Sequence, residues 1–274
     1  MIRYTKGHGT ENDFVIIPDP DGALPMEPAW VAALCDRRAG IGADGLLRVV
    51  ATAKMPGYED AAPDAEWFMD YRNGDGSIAE MCGNGVRVFA RYLVDQGLAE
   101  PGRIGVATRA GVKAVDVPVG GGDITVDMGV PVWPQGTARI AWDGRSAESV
   151  HVDMGNPHAV VFVGDVAEAG RLADAPVWSP EGVYPNGVNV EFVAPVGAQH
   201  IAMRVFERGV GETRSCGTGA CAAMIAAARR DGAVAGTPYV VDVPGGRLTI
   251  VERADGRLEM TGPAVLVADG TLRD

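Results

Sequence analysis

The sequence predicts an α+β fold made of two similar domains. Short runs of apolar and β-branched residues alternate with turn residues, at intervals suited to antiparallel sheets. Helical periodicity is convincing in only a few segments, and the two clearest begin directly after a cysteine. Several fragments also recur in the same order in both halves of the chain, and 274 residues suffice for two domains of ordinary size.

The predicted strands are short and distributed over the whole chain. They cover residues 13–18, 46–50, 111–119, 124–128, 158–163 and 201–206. We predict a weak helix over 28–37 and stronger helices over 83–97 and 217–231, because their apolar residues recur every three or four positions. Gly97 and Gly232 provide stop signals for the two stronger helices.

Internal repetition is the strongest argument for two copies of one unit. A displacement of 134 residues, from Asn73 to Glu207, superimposes NGDGSIAEMCGNG on ERGVGETRSCGTG, and Cys82 then lies on Cys216. Displacements of 144 and 145 residues superimpose GTENDFVII on MGNPHAVVF and GADGLL on GVNVEF. Each predicted unit therefore carries a cysteine at the start of its main helix.

The repeat and a Gly-Gly-Gly run near the middle of the chain suggest the domain boundaries. We predict an amino-terminal domain over 1–119 and a carboxy-terminal domain over 120–263. The strand-like stretch 264–268 leaves open whether residues 264–274 return to the first domain.

Charge and composition exclude several function classes. The chain has 24 lysines and arginines against 36 aspartates and glutamates, a net charge of −12. This sign does not suit binding to nucleic acid phosphates or to a membrane surface. No segment approaches the roughly 18 apolar residues of a membrane span, and the first thirty residues lack an apolar region suited to export. We therefore expect a cytoplasmic protein whose four cysteines are thiols.

A Cys-Gly-X-Gly motif stands at the start of each main helix, at Cys82 and at Cys216. Glycine lets the backbone approach a ligand closely, and the first helical turn offers N–H groups and partial positive charge, which suit a carboxylate. The same field favours a thiolate. Two such loops facing one cleft would suit removal of a proton from one face of a carbon and delivery to the other.

The cysteines and glycines also allow other interpretations. Cys35 and Cys221 fit the pattern of small buried apolar residues. Zinc is not favoured, because the histidines are scattered and no C-x-x-C pair occurs. The glycine loops match no dinucleotide or phosphate-loop pattern in the right context. A disulfide between Cys82 and Cys216 would explain their proximity but not the anion-binding loops.

Five segments carry a resemblance to a known family. They are KGHGTENDF near the start, CGNGVR at 82–87, GNPH at 155–158, GVNVEF at 187–192 and ERGVGETRSCGTGACA at 207–222. Together they resemble the diaminopimelate epimerase family in its actinobacterial form, in order and over nearly the whole chain. The resemblance implies two similar domains, each with antiparallel sheet wrapped around a central helix, and an active site in the cleft between them. It also implies a homodimeric isomerase of lysine and cell-wall precursor biosynthesis that interconverts LL- and meso-2,6-diaminopimelate without pyridoxal phosphate (PLP) or a metal.

The resemblance further implies roles for individual residues. Cys82 and Cys216 are the two acid/base groups, one a thiolate that accepts the Cα proton and the other a thiol that donates one. The residues expected to bind substrate are Asn12, Asn73, Gly83, Asn84, Asn156, Asn189, Glu207, Arg208, Gly217 and Thr218. His158 and Glu207 are expected to adjust the pKa values of the thiols.

Two positions depart from the family pattern. Glu11 stands where members commonly carry glycine, and Gly45 stands where many carry a glutamine that touches substrate in some of them. Gly45 is therefore assigned no binding role.

Two other functions remain open from the sequence. One is another cofactor-independent racemase of the same superfamily, acting on proline or hydroxyproline. Glu207-Arg208-Gly209 and the binding asparagines argue against it, because they suit a long substrate with a polar distal end. The other is an amino-acid-binding or redox-sensing protein, which would exchange no Cα hydrogen with solvent.

Overall fold

The computed structural model describes residues 1–273. Its α-helices are α1 (Pro28–Cys35), α2 (Gly83–Asp95) and α3 (Gly217–Asp231). The first strands are β1 (Arg3–Gly9), β2 (Asn12–Pro18), β3 (Gly45–Ala51), β4 (Trp67–Asn73), β5 (Gly102–Thr108), β6 (Gly111–Val117) and β7 (Ile124–Gly129). Those that follow are β8 (Arg139–Trp142), β9 (Arg145–Glu148), β10 (Val150–Asp153), β11 (Pro157–Phe162), β12 (Val177–Ser179), β13 (Asn189–Gly197), β14 (His200–Glu207), β15 (Gly211–Thr213), β16 (Pro238–Val243), β17 (Gly246–Glu252), β18 (Leu258–Gly262) and β19 (Val265–Thr271).

The first compact unit runs from Met1 to Val126 and takes up the chain again from Gly262. Its strands follow the order β19-β1-β2-β3-β4-β5-β6-β7. Neighbouring strands are antiparallel except for the parallel pairs β2–β3 and β4–β5. Helix α2 packs against β1 to β6 and β19, and most of its residues are buried. The sheet therefore wraps around this helix.

The second compact unit runs from Asp127 to Thr261. Its main strands follow the order β10-β11-β13-β14-β16-β17-β18, with parallel pairs β11–β13 and β14–β16. Helix α3 packs against the first six of these strands and is buried along most of its length. A small separate sheet, β12-β8-β9, adds Ile140 and Trp142 to the apolar core of this unit.

The two units repeat one pairing pattern. From β1 to β7 the successive pairs are antiparallel, parallel, antiparallel, parallel, antiparallel and antiparallel, and the main strands from β10 to β18 follow the same succession. In both units the main helix follows the fourth strand of this series and precedes the fifth. The α+β class and the two similar units predicted from the sequence are confirmed.

The helix ends differ slightly from those predicted, for local reasons. Helix α1 stops at Cys35 instead of 37, because the Asp36 carboxylate accepts hydrogen bonds from the N–H groups of Arg38 and Ala39 and starts a turn. Helix α2 ends at Asp95, and Gly97 then adopts a left-handed conformation. The prediction for α3 is correct at both ends.

The compact units divide between Val126 and Asp127, inside β7. The boundary between residues 119 and 120 stays a prediction. Strand β19 pairs with β1, so the carboxy-terminal segment adds an edge strand to the first unit. None of the helices in the described residues is long and apolar enough to span a membrane.

Candidate active site

Each unit places a cysteine at the N-cap of its central helix. Cys82 precedes α2 and its Sγ accepts a hydrogen bond from the Gly85 N–H at 3.4 Å. Cys216 precedes α3 and accepts one from the Gly219 N–H, also at 3.4 Å. An N–H donor and the positive end of a helix dipole both favour a thiolate over a thiol. The structure thus repeats one thiol arrangement in both units, with Gly83 and Gly217 as the first helical residues.

The surroundings of Cys82 are amide groups. The Cys82 thiol donates a hydrogen bond to Asn12 Oδ1 at 3.4 Å, and Asn84 Nδ2 donates to the same oxygen at 3.3 Å. Asn12 opens β2, whereas Asn84 lies in the first turn of α2 and is completely buried. The fold therefore brings together three of the residues predicted for the amino-terminal half of the site.

Two charged residues that the sequence did not single out fix these amides. Asp44 Oδ2 accepts from Asn12 Nδ2 at 2.8 Å, which turns the Asn12 carbonyl oxygen towards Cys82. Arg87 is completely buried and its Nη2 donates to Asn84 Oδ1 at 2.8 Å, which leaves Asn84 Nδ2 to face Asn12. Asp44 lies in the fragment GADGLL and contacts Asn12 from a distant part of the sequence, whereas Arg87 lies in CGNGVR, one helical turn after Asn84.

Asp44 is itself held by a network of ion pairs. Arg37 Nη2 contacts Asp44 Oδ1 at 2.6 Å and Asp13 Oδ1 at 2.7 Å, and Lys6 Nζ contacts Asp13 Oδ2 at 2.6 Å. Burial opposes ionisation of Asp13, but hydrogen bonds from Arg37 and Lys6 outweigh it and hold the pKa of Asp13 at about 2.

Asn73 ends β4 and belongs to a turn. Its Nδ2 donates to Ser77 Oγ at 3.0 Å, and its N–H donates to the Ser77 carbonyl at 2.9 Å. The β3–β4 register places it opposite Gly45, one residue from Asp44. A side chain at Gly45 has no space, since a Cβ there would lie 2.6 Å from the Arg72 carbonyl oxygen and 2.7 Å from Tyr71 Cε2.

The surroundings of Cys216 disfavour its thiolate. Burial raises the pKa of the Cys216 thiol well above its usual value, and the negative charges of Glu207 and Glu191 raise it further. Hydrogen bonds from Thr218 and from the Gly219 N–H act in the opposite direction. Thr218 Oγ1 lies 3.5 Å from Cys216 Sγ.

His158 is completely buried on β11 and has a polar partner at each ring nitrogen. Nδ1 lies 2.6 Å from Glu191 Oε1, and Nε2 lies 3.0 Å from Asn156 Oδ1. The predicted residues His158 and Asn156 are therefore in direct contact, and His158 also contacts Glu191, which the sequence did not single out. Glu207, at the end of β14, accepts a hydrogen bond from Thr213 Oγ1.

Asn189 and Arg208 complete the predicted set. Asn189 opens β13, next to His158 in the parallel register, and its Oδ1 accepts from the Arg208 N–H at 2.9 Å. The Arg208 guanidinium is exposed and donates from Nη1 to the Asn186 carbonyl at 3.1 Å. An exposed guanidinium can grip a carboxylate in bidentate fashion.

The two remaining cysteines are buried as expected. Cys35 lies in an apolar cluster with Val31 and Leu46, and burial raises the pKa of its thiol to about 11. Cys221 is completely buried within α3. Within residues 1–273, no three His, Cys, Asp or Glu side chains form a group that could hold a metal ion.

Known proteins resemble this chain over its full length. The family model described as diaminopimelate epimerase matches residues 4–134 and 150–267. A diaminopimelate epimerase from Streptomyces coelicolor is 61% identical, over 98% of this chain and 94% of its own length. One from Rhodococcus jostii is 48% identical, over 100% of this chain and 98% of its own.

Solved structures share the fold at low sequence identity. A probable proline racemase from Agrobacterium radiobacter has a TM-score of 0.71 and 17% identity, covering 100% of this chain and 93% of its own. A predicted epimerase from Pseudomonas aeruginosa has a TM-score of 0.70 and 18% identity, covering 99% of both chains. These likenesses show the fold alone. The matches of the family model and of the curated relatives over both halves show that the chain belongs to the diaminopimelate epimerase family.

Proposed function

We propose that this protein epimerises LL-2,6-diaminopimelate to the meso isomer through two thiols, Cys82 and Cys216, without a cofactor. One observation carries the proposal: each of the two similar units holds a cysteine at the N-cap of its central helix, with Sγ accepting an N–H from the residue three positions on. Two equivalent thiols suit a reaction that needs one base and one acid.

The proposed chemistry moves one proton off a carbon and another onto it. The thiolate sulfur of one cysteine takes the proton from Cα, and the electron pair of the broken C–H bond stays on Cα beside the substrate carboxylate. The thiol of the other cysteine gives its proton to the opposite face, so the configuration inverts and this sulfur becomes the thiolate. The roles exchange in the reverse direction, and no oxidant or reductant is needed.

The developing negative charge needs donors near the reacting carboxylate. The N–H groups of the first helical turns, at Gly83 with Asn84 and at Gly217 with Thr218, are our proposed donors there. Glu207 and His158 are proposed to engage the reacting end and to adjust the thiol pKa values. The other proposed substrate contacts are Asn12, Asn73, Asn156, Asn189 and Arg208, which offer amide groups and one guanidinium to the two amino-acid ends.

Single cysteine variants test the two-thiol chemistry. We expect Cys82→Ala and Cys216→Ala each to abolish epimerisation of LL-diaminopimelate. Cys35→Ala removes a thiol that lies in an apolar cluster and has no proposed role in the reaction, so it is the matched control and should keep its activity. Substantial turnover in either of the first two variants would contradict the mechanism.

A substrate panel separates this reaction from that of related racemases. We expect turnover of LL-diaminopimelate and none of L-proline or trans-4-hydroxy-L-proline, because Arg208 and the asparagines suit a second polar end. A preference for the proline compounds would assign the chain to the other activity.

We also propose a homodimer in the cytoplasm that uses no PLP. The acidic composition and the family resemblance support these points. Sedimentation velocity of the purified full chain should give the mass of two copies, and activity should be unchanged by a carbonyl reagent that captures PLP. A monomeric mass or loss of activity would contradict the respective point.

A further inference from the structure

Glu191 lies buried under the first turn of α3 and has no role in the reaction proposed above. It is completely buried on β13, and its Oε1 lies 2.6 Å from His158 Nδ1. A Cβ added to Gly219 would lie 2.8 Å from Oε1 and 3.2 Å from Cys216 Sγ. The glycine in the first turn of α3 therefore makes room for a carboxyl group close to the thiol.

The hydrogen bonds of His158 define where its protons are. Asn156 presents Oδ1 to His158 Nε2 at 3.0 Å, and a carbonyl oxygen only accepts, so Nε2 carries a hydrogen. A second proton then lies between Nδ1 and Glu191 Oε1, on one atom or the other, because two bare acceptors would not approach to 2.6 Å. In either form, the pair of His158 and Glu191 is neutral overall.

The surroundings of the pair favour this state over an ionised Glu191 beside a neutral imidazole. Both residues are completely buried, and Glu191 Oε2 has no hydrogen-bond partner among residues 1–273. Within the described residues, 1–273, no lysine or arginine forms an ion pair with Glu191. An uncompensated carboxylate in such a place is costly, whereas a neutral pair is not.

The ionisable groups that face the pair are weak sources of compensating charge. Tyr184 and Cys216 face Glu191, and both are held in their neutral forms by burial, which raises the pKa of each. His151 faces His158, and burial lowers the pKa of His151 and favours its neutral form as well. The proton shared with His158 therefore compensates the negative charge of the Glu191 carboxylate.

We propose that Glu191 is a positioning residue: by sharing a proton with His158, it keeps the Nε2–H directed at Asn156 Oδ1. The Asn156 amide is then held with its Nδ2 group turned away from His158, as a hydrogen-bond donor for an acceptor oxygen of the substrate, such as a carboxylate. With the opposite tautomer the amide would turn over and present an oxygen instead. The inference rests on the proposed function only where it assigns Asn156 to the substrate.

The protonation of His158 can be read in the free protein. The chain has four histidines, so ¹⁵N spectra of the full-length, histidine-labelled protein can be assigned with a His158→Gln variant. We expect His158 Nε2 to give a protonated-type resonance, because this nitrogen faces the carbonyl oxygen of Asn156. A bare Nε2 in the unmodified protein would overturn the proposal.

Glu191→Gln tests the part played by the carboxyl group. A glutamine can donate to or accept from Nδ1, so we expect the opposite tautomer to appear and the Nε2 resonance to move towards that of a bare nitrogen. An unchanged Nε2 resonance would overturn the role of Glu191. Glu212→Gln, an exposed carboxylate paired with Arg204 in the same unit, is the matched control and should leave the spectrum of His158 unchanged.

Kinetics then connect the pair to the substrate. We expect Glu191→Gln to raise KM for LL-diaminopimelate about tenfold, with a smaller change in kcat, because a binding group loses its orientation. In a double-mutant cycle, Glu191→Gln should add almost nothing to the effect of Asn156→Ala. Additive effects would overturn the proposal. If the spectra are as expected but the protein has no epimerase activity, the proposed function fails and the His158–Glu191 pair stands.

Discussion

The turn between β1 and β2 offers a sharp test of how this chain departs from its family. The β1–β2 register pairs Gly9 with Asn12, so the loop has two residues, Thr10 and Glu11, with φ of 50° and 60°. Two-residue loops with positive φ at both positions suit the twist of a hairpin and favour glycine or asparagine. Glu11, which is exposed, therefore occupies a backbone conformation that is energetically unfavourable for glutamate.

We predict that Glu11→Gly stabilises the protein. A left-handed conformation costs a residue with a Cβ about 1–2 kcal/mol. Glycine avoids this cost, but its greater conformational freedom stabilises the unfolded chain by about 0.4–1 kcal/mol and so offsets part of the gain. The net gain is about 0.5–1 kcal/mol, which for a chain of this size corresponds to a rise in Tm of about 1–3 °C. The backbone N–H of Glu11 donates a hydrogen bond to His8 Nδ1 at 3.3 Å, and this bond is retained because the Glu11 side chain takes no part in it.

Calorimetry and urea unfolding of a small series measure this effect. Glu11→Asn should gain part of the stability, because asparagine tolerates positive φ, and Glu11→Gln should gain none, because it changes the charge and keeps the backbone penalty. KM should stay unchanged in all three, since Asp44 holds Asn12 independently of residue 11. A glycine variant with a Tm equal to or below that of the glutamine variant would refute the reasoning.

Three further predictions follow from the two units. Gly45→Ala and Gly45→Gln should each lower the free energy of unfolding by about 1–3 kcal/mol without lowering KM, because Arg72 and Tyr71 occupy the space of a side chain; a tighter-binding Gln variant in substrate titrations would contradict this. Glu207→Gln should lower the pKa of the Cys216 thiol, because it removes a like charge, so iodoacetamide should alkylate Cys216 at lower pH than in the parent protein; mass spectrometry showing no change would contradict it. Asp13 is ionised in the folded protein down to a pKa of about 2, against an ordinary value of 3.8, so the stability it provides is complete above that ordinary value and is lost as the pH falls towards 2. Asp13→Asn should reduce the fall of the urea unfolding midpoint between pH 3.8 and about pH 2. A variant whose midpoint falls with pH as steeply as that of the parent protein would contradict the assignment.

The repeated architecture was predictable because it rests on local patterns. The periodicity of α2 and α3, the cysteine at each N-cap and the order of the recurring fragments all lie within short stretches of sequence. The prediction that a ligand approaches the glycine-rich first turns rests on the same local patterns.

Two of the three residues that the sequence did not reveal act through contacts between distant segments. Asp44, just before β3, orients Asn12, and Glu191 on β13 contacts His158 on the neighbouring strand β11. The third, Arg87, orients Asn84 from the next turn of the same helix. Each is a charged residue whose ordinary place is the protein surface, and only the fold shows that Arg87 and Glu191 are completely buried. The small sheet β12-β8-β9 was not predicted either, for a different reason: its strands are only three or four residues long.

The most direct test of the two-thiol account is the fate of the Cα hydrogen in heavy water. The purified protein, with no added cofactor, is incubated with LL-diaminopimelate, and product and remaining substrate are examined early in the reaction by mass spectrometry and proton NMR. With one thiol removing the proton and another, exchanged with solvent, supplying its replacement, meso-diaminopimelate should carry deuterium at the inverted carbon while the remaining LL isomer carries almost none. A product that retains its original hydrogen at the inverted carbon would contradict the account.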